Sequence, residues 1–267
     1  MEWWLIYLLL GAIVGYIAGL FGIGGGLVIV PVLVYMFTLQ AFPADRVLHF
    51  ALGTTMATII FTSLSSLRMH HVHGAVNWLI VRYLSPGIIL GTLAGSTLAS
   101  ALSTSVLGVI VVLFIYYAAT QMWLKLLPKP EYTLPGKGGL FMVGSIIGSV
   151  SSLVAIGGGL LTVPFLSLCK VKLQQAIGTA AAVGFPIALA GTIGYIINGE
   201  LQTQALPEYS LGYVYLPALG WIAAASMLTA PLGAKTTHRI QTATLKKLFI
   251  VLLYCLGTKM LFDILSN

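Results

Sequence analysis

Long apolar runs, separated by short polar or glycine- and proline-rich segments, make up most of the chain. The ten runs lie at roughly residues 3–21, 27–39, 48–67, 78–100, 105–127, 138–155, 160–169, 174–197, 212–232 and 247–265. A helix that crosses a bilayer needs about 20 predominantly apolar residues. The pattern therefore predicts an all-α polytopic membrane protein with roughly eight to ten transmembrane segments.

Two of the runs, 27–39 and 160–169, are too short for a simple crossing. Thirteen or fewer helical residues cover less than about 20 Å, whereas the hydrocarbon core is about 30 Å thick. Each short run directly follows three consecutive glycines. The pattern predicts glycine-broken short helices, which are tilted spans, re-entrant helices or halves of broken helices.

Composition excludes a water-soluble fold. Only 7% of the residues are charged, 58% are hydrophobic and the mean hydropathy is +1.01. Soluble domains carry about 25% charged residues. The net charge of +7 would raise the question of nucleic-acid binding in a soluble protein. Here the basic residues lie in connecting loops, so we interpret them as determinants of membrane topology and expect no nucleic-acid partner.

An internal repeat divides the chain. Ile23–Leu27 with Val30-Pro31 recurs 133 residues later as Ile156–Leu160 with Val163-Pro164. The pair Gly53-Thr54 returns as Gly178-Thr179, and four further matches share an offset of 138 residues: Gly74, Gly95, Leu107 and Met122 with Gly212, Gly233, Leu245 and Met260. The repeat predicts two transmembrane halves, 1–127 and 139–267, joined by a cytoplasmic linker at 128–138.

The basic residues predict the orientation of the two halves. If all ten segments cross the membrane, eleven of the thirteen lysines and arginines fall on one side, and only Arg46 and Lys259 fall on the other. Cytoplasmic loops are enriched in such residues. Four crossings per half would distribute them almost evenly. Five crossings per half make the repeat inverted, with both termini on the non-cytoplasmic side of the plasma (inner) membrane.

The glycine runs are candidates for a binding site. Unpaired backbone groups are not tolerated in lipid, so glycines at membrane depth must pack against protein or line a wet cavity. A glycine run before a helix exposes N–H groups at the positive end of the helix dipole, and this arrangement favours an anion. Two such ends, one from each half, would converge near the membrane centre. The alternative is that the glycines only permit close helix packing.

Hydroxyl groups near the glycine runs could add hydrogen bonds to an oxyanion. The duplication singles out Thr54 and Thr179, whereas Thr55 and Thr58 are expected to bond to carbonyls of their own helix or to a neighbouring helix. The predicted substrate-binding set comprises Gly24, Gly25, Gly26, Leu27, Gly53, Thr54, Gly157, Gly158, Gly159, Leu160, Gly178 and Thr179.

No motif indicates an enzyme, a cofactor or a metal site. Gly22–Leu27 lacks the third glycine of a dinucleotide fingerprint, and no phosphate-binding loop of a nucleotide-hydrolysing motor is present. His70, His71 and His73 are predicted in a loop without a neighbouring cysteine or carboxylate, and we expect no metal there. His49 is predicted at the membrane interface.

The duplicated motif resembles the sulfite exporter TauE/SafE family. The similarity rests on Gly22–Pro31, Ala155–Pro164, the two Gly-Thr pairs, and Ala230–Gly233 followed by Leu245–Phe249. The resemblance implies a permease that exports sulfite, sulfoacetate or a related sulfur-containing anion across the bacterial plasma membrane. The leading hypothesis is therefore a secondary transporter working by alternating access. An anion channel and a non-transporting scaffold or accessory subunit are the alternatives, and homo-oligomerisation stays open.

Overall fold

The structure, a computed structural model, describes residues 3–21, 25–124, 131–202, 206–237 and 242–265. Gly24 of the predicted binding set lies outside the described residues, as does part of the linker at 128–130.

Ten helices run through the described part of the chain. They are α1 Trp3–Phe21, α2 Gly26–Leu39, α3 Val47–Val72, α4 Trp78–Ala101, α5 Thr104–Leu124, α6 Lys137–Val154, α7 Gly159–Leu168, α8 Leu173–Glu200, α9 Leu216–Thr237 and α10 Thr242–Leu265. Seven of them are long and apolar enough to cross a membrane, and three further apolar stretches, in α1, α2 and α7, are shorter. The predicted all-α polytopic membrane fold is confirmed, with α2 and α7 as its short, glycine-led helices.

One predicted segment begins differently from the expectation. The apolar pattern predicts a helix throughout 212–232, but a small antiparallel hairpin precedes α9, with β1 at Ser210–Leu211 and β2 at Val214–Tyr215. The backbone of Gly212 has a φ of 51°, which is incompatible with a right-handed helix. The run is apolar because the hairpin packs into the protein, where Tyr213 and Val214 are buried.

Two other boundaries move. Helix α3 extends to Val72, so His70 and His71 lie in its last turn and not in the predicted loop. Helix α6 starts at Lys137, inside the predicted linker, because Gly136 already serves as its N-cap residue.

The helices pack in pairs that exchange partners between the two halves. The first helix of each half lies along the fourth helix of the other, since α1 packs on α9 and α6 packs on α4. Helices α3 and α8 cross each other at the centre, and α5 packs on α10. The short helices instead pack within their own half, with α2 on α3 and α7 on α8. Every main contact of one half therefore has a counterpart in the other.

Small residues allow these helices to approach closely. A Cβ atom at Gly11 or Gly15 of α1 would overlap backbone atoms of α9, and one at Gly91 of α4 would overlap the backbone of α6. Close backbone approach at small residues is a common mode of helix association in membranes. These glycines have a packing role, which distinguishes them from the glycines at the breaks.

His49, predicted at the membrane interface, is buried within the protein. It is 0% exposed, its Nε2 atom is 3.0 Å from the carbonyl oxygen of Ala99, and its ring centre is 5.2 Å from that of Tyr213.

The Arg46 guanidinium donates a 2.9 Å hydrogen bond to the Tyr213 hydroxyl. Burial raises the pKa of Tyr213, and the neighbouring Arg46 opposes that shift. The hairpin thus joins the start of α3 through a neutral tyrosine.

Candidate functional site

The first glycine break separates α1 from α2. Gly25 caps α2 with a left-handed φ of 74°, and its carbonyl oxygen accepts the N–H groups of Val28 at 3.1 Å and Ile29 at 3.2 Å. A side chain at Gly25 would be strained by this φ and would collide with Val14. The N-cap residue of α2 is a glycine and offers no capping side chain, and the following Leu27 is only 2% exposed. The positive end of α2 is therefore buried without a side-chain acceptor from its own N-cap residue.

The second break separates α6 from α7. Helix α6 ends at Val154, its C-cap residue Ala155 has a left-handed φ of 49°, and α7 begins at Gly159. The Gly158 carbonyl accepts the N–H of Thr162 at 2.9 Å, and the Gly157 carbonyl accepts the N–H of Gly159. No side chain caps α7, and the adjacent Leu160 is buried. This break repeats the uncapped helix start of the first.

The two breaks are in contact. Gly26, the first residue of α2, packs so tightly on the Ala155 carbonyl that a Cβ atom would overlap it, and Ile59 of α3 lies on the same side. Gly158 is enclosed by α8, since a Cβ atom there would lie 3.3 Å from the Ala180 carbonyl oxygen and 3.1 Å from Ile187. The tertiary structure thus brings Gly26 of the first break against Ala155, two positions before Gly157 of the second, although the two breaks are about 130 positions apart in the sequence.

The first Gly-Thr pair binds the hairpin of the opposite half. Gly53 packs on the Tyr213 carbonyl, again without room for a Cβ atom. The hydroxyl oxygen of Thr54 accepts the N–H of Tyr215 at 3.0 Å, and Thr54 is fully buried. Thr58 donates to the Thr54 carbonyl at 2.9 Å, which confirms the local bond expected for that residue.

The second Gly-Thr pair makes the corresponding contacts. Gly178 packs on the Ala75 carbonyl, and the hydroxyl oxygen of fully buried Thr179 accepts the N–H of Asn77 at 3.0 Å. The residues that contact the two glycines, Ala75 and Tyr213, are 138 positions apart. The residues that donate to the two threonines, Asn77 and Tyr215, are also 138 positions apart, which is the offset found in the sequence repeat. These contacts show the pairs holding loops of the opposite half. Each hydroxyl accepts one bond and still carries a proton that it can donate.

Other hydroxyl groups have no partner among the described residues. Thr55, Ser151 and Thr162 are each 1% exposed or less, and their hydroxyl oxygens make no hydrogen bond there, so the bond expected for Thr55 is not found among the described residues. Ser151 lies in the last turn of α6 and Thr162 in the first turn of α7, so the two flank the second break. Because Cα–Cβ bonds tilt toward the helix N-terminus, the Thr162 side chain leans toward the break.

Sequence reasoning did not select these hydroxyls because the duplication gives no support for them. The counterparts of Ser151, Thr162 and Thr55 in the other half are apolar: Ala18, Ile29 and Ala180. One signal could have identified Thr162, namely a lone hydroxyl in the first turn of an apolar helix that follows a glycine run.

Space remains beside the second break. At Gly184 of α8, a Cβ atom would lie 3.6 Å from the Cβ of Ser63 in α3 and 4.0 Å from the Gly158 nitrogen. These are ordinary van der Waals separations. The position thus has room for a methyl group where α3, α8 and the break approach one another.

The buried polar groups around the site carry no formal charge. Among the described residues, the buried side chains with polar groups are those of serines, threonines, His49 and the tyrosines Tyr7, Tyr195 and Tyr213. Lys259 and Asp263 form the predicted pair on α10, 2.9 Å apart, but both side chains are about half exposed. No group of three or more histidine, cysteine, aspartate or glutamate side chains suited to a metal occurs in the described part of the chain.

Comparison with known proteins identifies the family. The family model described as "Sulfite exporter TauE/SafE" matches residues 7–260. The chain belongs to this family. A "Probable membrane transporter protein" of Haemophilus influenzae is 40% identical over 258 residues, which cover 96% of this chain and 97% of the relative. No solved structure matches the TauE/SafE chain.

More distant relatives have similar descriptions. A "Probable membrane transporter protein" of Methanocaldococcus jannaschii is 27% identical over 96% of this chain and 94% of its own length. The "Probable membrane transporter protein YunE" of Bacillus subtilis is 24% identical, with 97% of both chains covered. Together with the seven long apolar helices, these matches define a multi-pass membrane transporter of the TauE/SafE type. The family is a class of transporters and not of enzymes.

Proposed function

We propose that this TauE/SafE protein is a secondary transporter that exports a small sulfur-containing oxyanion, such as sulfite or an organosulfonate, by alternating access. The observation that carries the proposal is the contact between two glycine breaks, each of which starts a short buried helix without a side-chain cap. Uncapped helix N-termini offer N–H donors and positive potential to an anion.

The donors around the second break suit an oxyanion. Thr162 and Ser151 hold buried hydroxyl groups without an acceptor among the described residues, and a buried donor left unpaired is unfavourable. An oxyanion has several acceptor oxygens and could satisfy both hydroxyls together with N–H groups of α7. The predicted residues Gly157, Gly158, Gly159 and Leu160 would then contribute backbone, and not side chains, to the site.

The exchange of helix partners supports an inverted repeat. Thr54 binds the backbone at Tyr215 while Thr179 binds the backbone at Asn77, so each half holds a loop of the other by the same kind of contact. Two pseudo-equivalent halves can rock about a site at their interface and expose it to each side of the membrane in turn. The Gly-Thr pairs would act at this interface as contacts that are made and broken during the cycle.

The orientation follows from the charges. With ten crossings, the basic loops face the cytoplasm, and both termini lie on the non-cytoplasmic side of the plasma membrane. The cytoplasmic side would receive the anion from metabolism, and the outward movement would be export.

Flux into proteoliposomes tests the proposal. Purified protein is reconstituted, and uptake of labelled sulfite, sulfoacetate, thiosulfate and sulfate is compared with that of protein-free vesicles. We expect saturable flux of at least one of these anions and tracer counterflow, which a channel would not give. Absence of flux for all four anions would contradict the proposal and favour a scaffold or accessory subunit.

A matched pair of variants tests the location of the site. Gly184→Ala places a methyl group in the space beside Gly158 without a steric clash, whereas Gly220→Ala adds the same methyl group where nothing lies within 4 Å. Both exchanges remove a helical glycine and should preserve or slightly raise stability. We expect flux to fall in Gly184→Ala alone. Equal flux in both variants would place the substrate path elsewhere.

A further inference from the structure

The charge inventory around the breaks restricts the charge of the substrate, an inference that rests on the proposed function. The two breaks supply backbone and hydroxyl groups only. Across the whole sequence, residues 22–27 and 155–162 contain no ionisable side chain. The buried polar side chains of the described residues are hydroxyls and one imidazole, that of His49 in the first turn of α3. Among the residues whose side chains the structure describes, no lysine or arginine is buried at the breaks to balance a second negative charge.

The helix ends can balance about one charge. The N-terminus of a helix carries the equivalent of about half a positive charge, so two converging ends offer about one. The cost of burying an ion rises with the square of its charge, and a dianion costs about four times as much as a monoanion of the same size. The compensation available at the two breaks thus matches a monoanion and leaves a dianion largely unbalanced.

The unpartnered hydroxyls provide independent support for a ligand of this kind. Thr162 is 0% and Ser151 1% exposed, and neither bonds within the described part of the chain. A hydroxyl can either donate or accept. It can therefore donate a hydrogen bond to an anionic oxygen or accept one from the protonated oxygen of a singly ionised acid. Arginine and lysine side chains can only donate.

We infer that the transporter selects singly charged sulfur oxyanions: hydrogen sulfite in preference to sulfite, and monovalent sulfonates in preference to sulfate. Hydrogen sulfite loses its proton near neutral pH, so the carried fraction of total sulfite rises as the pH falls. Each hydrogen sulfite exported takes one proton with it. Export of sulfite is then coupled to the outward movement of a proton carried on the substrate, without a carboxylate relay in the protein.

Titratable groups of the protein could also respond to pH and need a control. On the helices around the breaks these groups are Tyr7 and Tyr16 of α1, Tyr35 of α2, His49, Arg68, His70 and His71 of α3, Lys137 of α6, and Tyr195 and Glu200 of α8. Methanesulfonate keeps one charge throughout the neutral range. Its flux reports any effect of pH on the protein itself.

The test compares nearly isosteric anions in proteoliposomes, with the flux of protein-free vesicles subtracted. We expect the flux of methanesulfonate to be at least roughly tenfold higher than that of sulfate. This is the ratio expected when one charge is left unmatched at a helix end. The flux of total sulfite, divided by that of methanesulfonate, should rise from mildly alkaline to mildly acidic buffer.

The outcomes separate this inference from the proposed function. If sulfate and methanesulfonate are carried equally, or if the sulfite ratio does not change with pH, charge selection is wrong while anion transport stands. If sulfate is preferred, an unrecognised cation contributes and the inference is again wrong. If methanesulfonate, sulfite, sulfoacetate, thiosulfate and sulfate all show no flux, both the inference and the proposed function fail.

Discussion

Replacing Thr162 by valine should reduce transport without destabilising the protein. Valine has nearly the shape of threonine, and the Thr162 hydroxyl makes no bond among the described residues that its loss could break. The side chain is fully buried in the first turn of α7, about 4.5 Å along the helix from Gly159. The hydroxyl therefore has no structural partner to lose, and its removal affects mainly a bound anion.

The magnitude follows from the lost hydrogen bond. A bond to a charged partner contributes about 1.5–3 kcal/mol, and each 1.4 kcal/mol corresponds to a factor of about ten. The apparent affinity for the anion should fall roughly 10- to 100-fold in Thr162→Val. Folding should be unaffected or improved, because removing an unsatisfied buried hydroxyl costs nothing in the free state.

Thr92→Val is the matched control. Thr92 is also fully buried, and its hydroxyl is likewise unpartnered in the described structure, but it packs against Gly148 of α6, about 10 Å before the break. Concentration-dependent flux in proteoliposomes gives KM and maximal rate for both variants, and thermal unfolding in detergent gives their stability. The same KM for Thr162→Val and Thr92→Val would refute the assignment of Thr162 to the site.

Four further predictions test the packing and the orientation. Gly26→Ala forces a methyl group into the Ala155 carbonyl and should destabilise the protein by about 1–3 kcal/mol. The effect is measured as a lower Tm in detergent, and an unchanged Tm would mean that the breaks can separate freely. Thr54→Val and Thr179→Val each leave a backbone N–H without its acceptor, so each should lower the free energy of unfolding by a similar amount, about 1–3 kcal/mol. Clearly unequal losses would argue against equivalent halves. Tyr213→Phe removes the acceptor of the Arg46 hydrogen bond and should lower the free energy of unfolding by about 1 kcal/mol. An unchanged free energy of unfolding would mean that this hydrogen bond does not stabilise the protein. A phosphatase fused to the C-terminus should be active and a fluorescent protein dark, and the opposite pattern would reverse the predicted topology.

The helices were predictable because the bilayer imposes their length and composition. Runs such as 78–100 and 105–127 correspond to α4 and α5 within a few residues, since a helix must stay apolar across the hydrocarbon core and end in polar residues. The same rule failed at the start of the run 212–232, where residues 212–215 belong to a hairpin buried by its neighbours. An apolar run indicates burial and not by itself a helix.

The candidate site was only partly predictable. The duplication identified Gly53, Thr54, Gly178 and Thr179, but it did not show that their first contacts are loops of the opposite half. The burial of His49 was not predicted either, because its polar side chain at a segment end suggested the interface.

By itself, the sequence determined that the protein lies in a membrane, where its helices run, and where two glycine runs interrupt them, because these properties depend on local composition and chain geometry. Only the tertiary structure decided that α1 packs on α9 and α6 on α4, and that Gly26 meets Ala155. It also decided which buried hydroxyls lack a hydrogen-bond partner among the described residues, such as that of Thr162. Such properties depend on which distant backbone comes within a few ångströms, and no local pattern records that distance.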